Sequence, residues 1–195
     1  MDALLMPHPN GSGDRAVFPV PPPPRPTSVP RQPSVHARVA ATRDIPALVR
    51  LINIAYRVEA FFIRGERTTA EEVRGLMDVA GAAFLVFDGA APEGLAGSVY
   101  VEVRGNRGHF GLLAVEPAMQ GRGLGRALIA AAEEHCRAAR CTALDLEVFD
   151  VRSELPPFYR ACGFHPVGTI AFSHPELLLK PAHLIQMSKA IDQGV

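Results

Sequence analysis

Leu113-Ala114-Val115-Glu116-Pro117-Ala118-Met119-Gln120-Gly121-Arg122-Gly123-Leu124-Gly125-Arg126-Ala127-Leu128-Ile129 is the stretch on which the reading of this chain turns. Its apolar start reads as a strand ending at Val115. Glu116-Pro117 breaks that strand, and glycines 121, 123 and 125 then open a helix. Glycines let a ligand approach the main chain with no Cβ in the way. The first helical turn leaves amide N–H groups unpaired and carries a positive partial charge. A pyrophosphate suits both features, and Arg122 and Arg126 add cationic charge nearby. Three phosphate-binding patterns compete. A Walker loop needs Gly-Lys-Ser/Thr at its end, and no Lys is available. A dinucleotide fingerprint counted from Gly121 needs a sixth-place glycine and finds Arg126, and residues 116–120 make its strand-to-helix turn too long. The third pattern, Gln/Arg-x-x-Gly-x-Gly/Ala, is met from Gln120 to Gly125. The competing reading of the same residues is a glycine-rich turn that holds nothing.

Outward from this stretch the pattern is regular. Val35–Ala41 reads as a short strand. Asp44 caps a helix to about Arg57, with Pro46 in its first turn and Leu48, Leu51, Ile52 and Ala55 as its apolar face. Thr69 with Glu72 is a capping box opening a helix to about Val79. Ala83–Phe87 is a strand. Leu95–Val103 and His109–Val115 form a hairpin across Gly105-Asn106. A helix over 123–139, a strand over 143–148, a short helix over 155–161 capped by Gly163, and strands over 164–172 and 184–191 follow. Hairpins and βα crossovers are mixed, so the fold class is mixed α+β (α/β).

The chain has 195 residues, of which 48% are hydrophobic, as in ordinary globular proteins. No apolar run reaches the ~20 residues of a membrane helix, and no signal peptide is evident, so no membrane association and a cytoplasmic location are expected. Basic and acidic residues balance at 20 each, which argues against a broad nucleic-acid-binding surface. Cys136, Cys141 and Cys162 are too few and wrongly spaced for a disulfide framework or a zinc site, so no metal is expected. Ten of the 18 prolines precede His36. Residues 1–36 are therefore expected to be a disordered Pro-rich tail and 37–192 the folded domain.

The motif at Gln120–Gly125 after a Leu-Ala-Val strand resembles that of the GNAT N-acetyltransferases. Pro157-Phe158-Tyr159-Arg160-Ala161-Cys162-Gly163-Phe164 is similar to a second hallmark, Tyr-x-x-x-Gly-Phe, and the element order fits from about residue 37 to 192. The resemblance implies a GNAT-type fold, a mostly antiparallel central sheet with splayed central strands and about four helices. It implies an acetyl-CoA co-substrate and a primary amine acceptor, attacked directly in a ternary complex, with homodimers frequent.

Carried residue by residue, the resemblance assigns the coenzyme pyrophosphate to the amides around Gln120, Gly121, Arg122, Gly123, Leu124, Gly125 and Arg126. It assigns the pantetheine arm to the main chain of Leu113, Ala114 and Val115. Tyr159 becomes the general acid, against the alternative of a packed tyrosine with its hydroxyl on a carbonyl. His109 stands where some relatives carry a base. The hairpin register pairs Glu102 with His109, so Glu102 is a candidate to orient it, the alternative being a surface ion pair. Many members have an Asn after the strand matching 143–148. Here the loop is Phe149-Asp150-Val151-Arg152-Ser153-Glu154, so Ser153 or Arg152 is the substitute. The acceptor wall is expected to include Tyr56, Glu59, Phe62 and Arg67, Glu59 attracting an amine and Arg64 or Arg67 holding a carboxylate. A small amine or amino-acid-like acceptor follows, with a peptide or protein acceptor, a non-catalytic acyl-CoA-binding module and a nicotinamide oxidoreductase as competing readings.

Overall fold

In a computed structural model, residues 37–89 and 94–193 are described, all within the unit Val35–Val195. The segment 1–36, expected to be a disordered tail, lies outside them. The elements are β1 (Arg38–Val39), α1 (Ile45–Tyr56), α2 (Ala70–Met77), β2 (Ala82–Asp88), β3 (Leu95–Arg104), β4 (Arg107–Val115), α3 (Leu124–Ala138), β5 (Ala143–Phe149), α4 (Leu155–Arg160), β6 (His165–Ala171) and β7 (His183–Ala190). One seven-stranded sheet runs β1-β2-β3-β4-β5-β7-β6, and every pairing is antiparallel except β4 with β5.

Helices cover both faces of the sheet over β2, β3 and β4, whereas β6 is exposed along its length, and β2, between the two layers, is buried almost throughout. Leu85 and Phe87 point into a core with Leu128, Ile129, Ala132 and Cys136 of α3. Phe84 and Val86 point the other way, onto Leu48, Leu51 and Ile52 of α1 and Val73 of α2. This is the period-2 alternation of a strand between two helical layers. Leu48, Leu51 and Ile52 are fully buried, each side chain worth ~1.5–3 kcal/mol by transfer. A third cluster packs Phe62 against Phe149 and Ala182.

Local signals act largely as the sequence suggests. Thr69 and Glu72 complete a reciprocal capping box on α2. Gly105 takes φ +62 as the first central residue of the β3–β4 turn, the conformation a type II′ hairpin needs there. Asp44 differs. It precedes α1 without bonding a helix amide. A short 3-10 turn over 42–44 instead brings its carboxylate to the Ala41 N–H at 2.7 Å and to Arg38 at 2.7 Å. Arg38 in turn binds Asp88 of β2, which pins the two-residue β1 to the sheet edge.

Candidate active site

β4 and β5 pair at only three positions, Arg107 with Ala143, Gly108 with Leu144 and His109 with Asp145. Beyond His109 they part, although β4 runs on to Val115 and β5 to Phe149. A bulge helps to free β4. Between Tyr100↔Gly111 and Ser98↔Ala114, β3 advances two residues while β4 advances three, and Leu112 takes the left-handed value φ +48. A non-glycine residue there stores strain of ~1–2 kcal/mol. The fork opens onto a cavity of about 380 Å³ between the diverging strands, lined on one side by His109–Leu113 and on the other by Leu146–Phe149.

Tyr159 enters this cavity from α4. Its ring is 7% exposed and is held edge-on by Phe158, Phe110 and Phe164 at centroid distances of 5.2, 6.1 and 6.2 Å. Among the described residues its hydroxyl has no hydrogen-bond partner, unlike a tyrosine tied to a carbonyl. Burial, chiefly, pushes its pKa well above the ordinary tyrosine value, so the phenol stays protonated at neutral pH.

At the far end of β4, Gln120 Nε2 donates to the Val115 carbonyl at 3.2 Å and folds the loop back on the strand. Gly121 and Gly123 take φ +74 and +84, which places the latter as a left-handed N-cap of α3. The first amide of this turn to find an intrachain partner is Ala127 N–H, on the Gly123 carbonyl. The six N–H groups of residues 121–126 therefore stand without partners among the described residues. That is a donor-rich cradle of the kind a pyrophosphate fills. Arg126 is turned aside. Although exposed, it donates to the Ala161 carbonyl at 3.1 Å and stacks over Phe158, so Arg122 is the loop cation without such a commitment among the described residues.

The model of the Acetyltransferase (GNAT) family matches residues 47–164, more than half of the chain. The chain belongs to the GNAT family. No curated protein matches it. Among solved structures, a nourseothricin acetyltransferase is 28% identical, covering 58% of this chain and 67% of its own, with a TM-score of 0.54. The ribosomal-protein-S18-alanine N-acetyltransferase of Escherichia coli is 17% identical, covering 82% and 96%, with a TM-score of 0.65. A phosphinothricin acetyltransferase of Sinorhizobium meliloti, solved in complex with acetyl-CoA, is 16% identical, covering 82% and 90%, with a TM-score of 0.63. The GNAT fold is thus shared with enzymes whose acceptors differ widely.

Within this GNAT domain the anticipated residues divide. His109, Tyr159, Leu113, Tyr56, Glu59 and Arg67 all line the central cavity. Tyr56, Glu59 and Arg67 also line a second cavity of about 490 Å³, which reaches out to Arg57, Arg64, Glu66 and His174. Phe62 does not join them. It is fully buried, edge-on to Phe149 at 4.9 Å, while Phe61 is the exposed neighbour, with the Lys180 ammonium 4.1 Å above its ring. The turn over 57–59 places the first phenylalanine outward and the second inward.

Glu102 and His109 are paired in register as expected, but the hydrogen bond between them is not made. Tyr100 and Arg104 lie two residues to either side of Glu102 and so share its face. They take the carboxylate, Tyr100 Oη donating at 3.1 Å and Arg104 at 2.9 Å. The Arg104 bond, chiefly, holds the Glu102 pKa below its usual range. Burial pushes the His109 pKa down, reinforced by Arg104, and both ring nitrogens are buried without partners. His109 is a neutral imidazole at pH 7.

One important pair had no local signal. Arg152 donates to Glu59 at 2.7 Å across 93 positions of sequence and holds Glu154 at 2.6 Å with its other edge. Arg152, the anticipated substitute for the missing Asn, is thus committed to two carboxylates.

Proposed function

We propose that this protein is an acetyl-CoA-dependent N-acetyltransferase that acetylates a primary amine of a small or amino-acid-like acceptor by direct attack in a ternary complex. The observation that carries the reading is the fork past His109. It holds the unbonded Tyr159 hydroxyl in a cavity bounded by the same strand, β4, that leads to the free amides of residues 121–126.

Acetyl-CoA would supply an activated thioester. The amides of 121–126 would hold its pyrophosphate, and the main chain of Leu113, Ala114 and Val115 would pair with the pantetheine arm as an added strand does. A main-chain N–H near the bulge would polarise the thioester carbonyl as charge develops on its oxygen. His109, neutral and unbonded, would accept a proton from the attacking amine. Tyr159 Oη would give a proton to the departing sulfur. The N–C bond forms as the C–S bond breaks, and proton return from His109 to Tyr159 through solvent resets both groups. No cysteine is among the residues lining the cavity, which favours direct transfer over a covalent acetyl-enzyme.

The test is release of free CoA thiol from acetyl-CoA with a panel of primary amines. Wild type is expected to turn over, and Tyr159→Phe to lose ~10²-fold in kcat with acetyl-CoA affinity retained. Unchanged turnover in the variant would remove Tyr159 as the acid. Absence of wild-type turnover with acetyl-CoA bound would favour an acyl-CoA-binding module.

A further inference from the structure

The wall shared by the two cavities contains an orphaned acceptor beside an orphaned donor. Glu59 is 4% exposed. One of its oxygens takes the Arg152 guanidinium at 2.7 Å, while Oε2 is buried with no partner. Arg67 makes no ion pair among the described residues, and Tyr56 is the side chain that engages its guanidinium. Its guanidinium lies 5.0 Å over the Tyr56 ring, and its Nε–H is buried and unpartnered. Both side chains line both cavities, and the Arg67 charge acts on the Glu59 carboxyl, yet the two are not bonded to each other. Buried polar groups are rarely left so, because each forfeits its hydrogen bonds to water. Two of opposite demand, in residues that line both cavities, describe the ligand that completes them.

A carboxylate completes Arg67. The guanidinium Nε–H belongs to the edge that binds carboxylates through two parallel N–H···O bonds, and the ring of Tyr56 holds that plane in place. An ammonium or amine N–H completes Glu59 Oε2. Resting on the acetyltransferase reading above, we propose that the acceptor is a free α-amino acid, its carboxylate anchored by Arg67 and its amine guided by Glu59 toward Tyr159. The outer cavity of about 490 Å³, with Asn53, Arg57, Arg64, Glu66 and His174 in its lining, takes the amino-acid side chain and suits a polar one. A peptide N-terminus carries the amine but no carboxylate beside it, so Arg67 would stay unsatisfied.

The experiment uses the full chain and the twenty proteinogenic L-amino acids, each against its methyl ester, which keeps the amine and removes the anionic carboxylate. Thiol release from acetyl-CoA reports turnover, and calorimetry reports amino-acid binding with and without CoA. At least one amino acid is expected to exceed its ester by about 100-fold in kcat/KM, mostly through KM. Arg67→Gln should collapse that ratio below about 5-fold, and Arg67→Lys, with charge but no two-pronged edge, should fall between. Should Arg67→Gln fail to fold, the Lys variant carries the test. Esters accepted as well as acids, a ratio that survives loss of Arg67, or no amino-acid binding by a protein that still binds acetyl-CoA would each overturn the proposal and leave the acetyltransferase reading standing. Failure to bind acetyl-CoA would remove that reading instead, and amino-acid binding without coenzyme, lost in Arg67→Gln, would still support the anchor.

Discussion

The glycine loop at 120–126 and the charged wall at 56–67 are made of different materials. The loop offers main-chain N–H groups, fixed by left-handed glycines and one glutamine bonded to the strand behind it. The wall offers side chains, and its key carboxylate is held by an arginine 93 residues away. A main-chain site tolerates changes of side chain but not of backbone conformation. A side-chain site behaves in the opposite way. That difference would let one main-chain cradle serve relatives named for acceptors as unlike as nourseothricin and a ribosomal-protein alanine.

The comparison is most easily broken at Glu59. Glu59→Ala leaves Arg152 with Glu154 alone and removes the buried carboxyl on which the Arg67 charge acts. Removing one partner of a buried pair is expected to cost about 3 kcal/mol and to lower Tm by roughly 6–12 °C, while acetyl-CoA affinity is retained. A large loss of coenzyme affinity in scanning calorimetry and titration would show that the two regions are not separable. At Gly123, with φ +84, substitution by Ala imposes left-handed strain of ~1–2 kcal/mol. It should lower Tm by about 4 °C and weaken acetyl-CoA several-fold, with acceptor KM little changed.

His109 sharpens the picture through pH. Its pKa is lowered on folding, so the unfolded chain binds the proton more readily as pH drops below ~6.5. The contribution of neutral His109 to stability is present above that pH and is lost as pH falls toward the folded pKa. Thermal melts of wild type should therefore lose stability over this acid range, and His109→Gln should flatten that part of the profile. The acid limb of kcat/KM should likewise fall below the usual histidine value and vanish in the variant. The smallest effect is expected at Glu102, whose carboxylate serves Tyr100 and the exposed Arg104. Glu102→Gln should change Tm by less than about 3 °C, since a half-exposed pair is worth ~0–1 kcal/mol. The Glu102 charge raises the His109 pKa only as a lesser influence behind burial and Arg104, so the acid limb should move slightly further down. A large displacement would mean that Glu102 orients His109 after all.

The legible parts of this molecule were those written locally. The capping box at Thr69, the Gly105-Asn106 turn and the run from Gln120 to Gly125 each place the chain through neighbours a few residues away, and the element order followed. Register also carried over, since a two-residue turn fixes which residues of β3 and β4 face each other. Register alone does not say where a carboxylate spends its hydrogen bonds, so the commitment of Glu102 to Tyr100 and Arg104 was hidden. The bulge was only half written, since Gly111 stands beside it while the residue that takes the left-handed conformation is Leu112. The inward turn of Phe62 depended on a 3-10 segment, and the Glu59–Arg152 pair on tertiary approach, neither of which has a sequence period.

The central claim, that β4 and the glycine loop form a coenzyme A site, is tested most directly by calorimetric titration of the protein with acetyl-CoA, with NADH in parallel. The account predicts saturable one-to-one binding of acetyl-CoA, weakened by Gly123→Ala, and no heat from NADH. Binding of NADH with none of acetyl-CoA would contradict it.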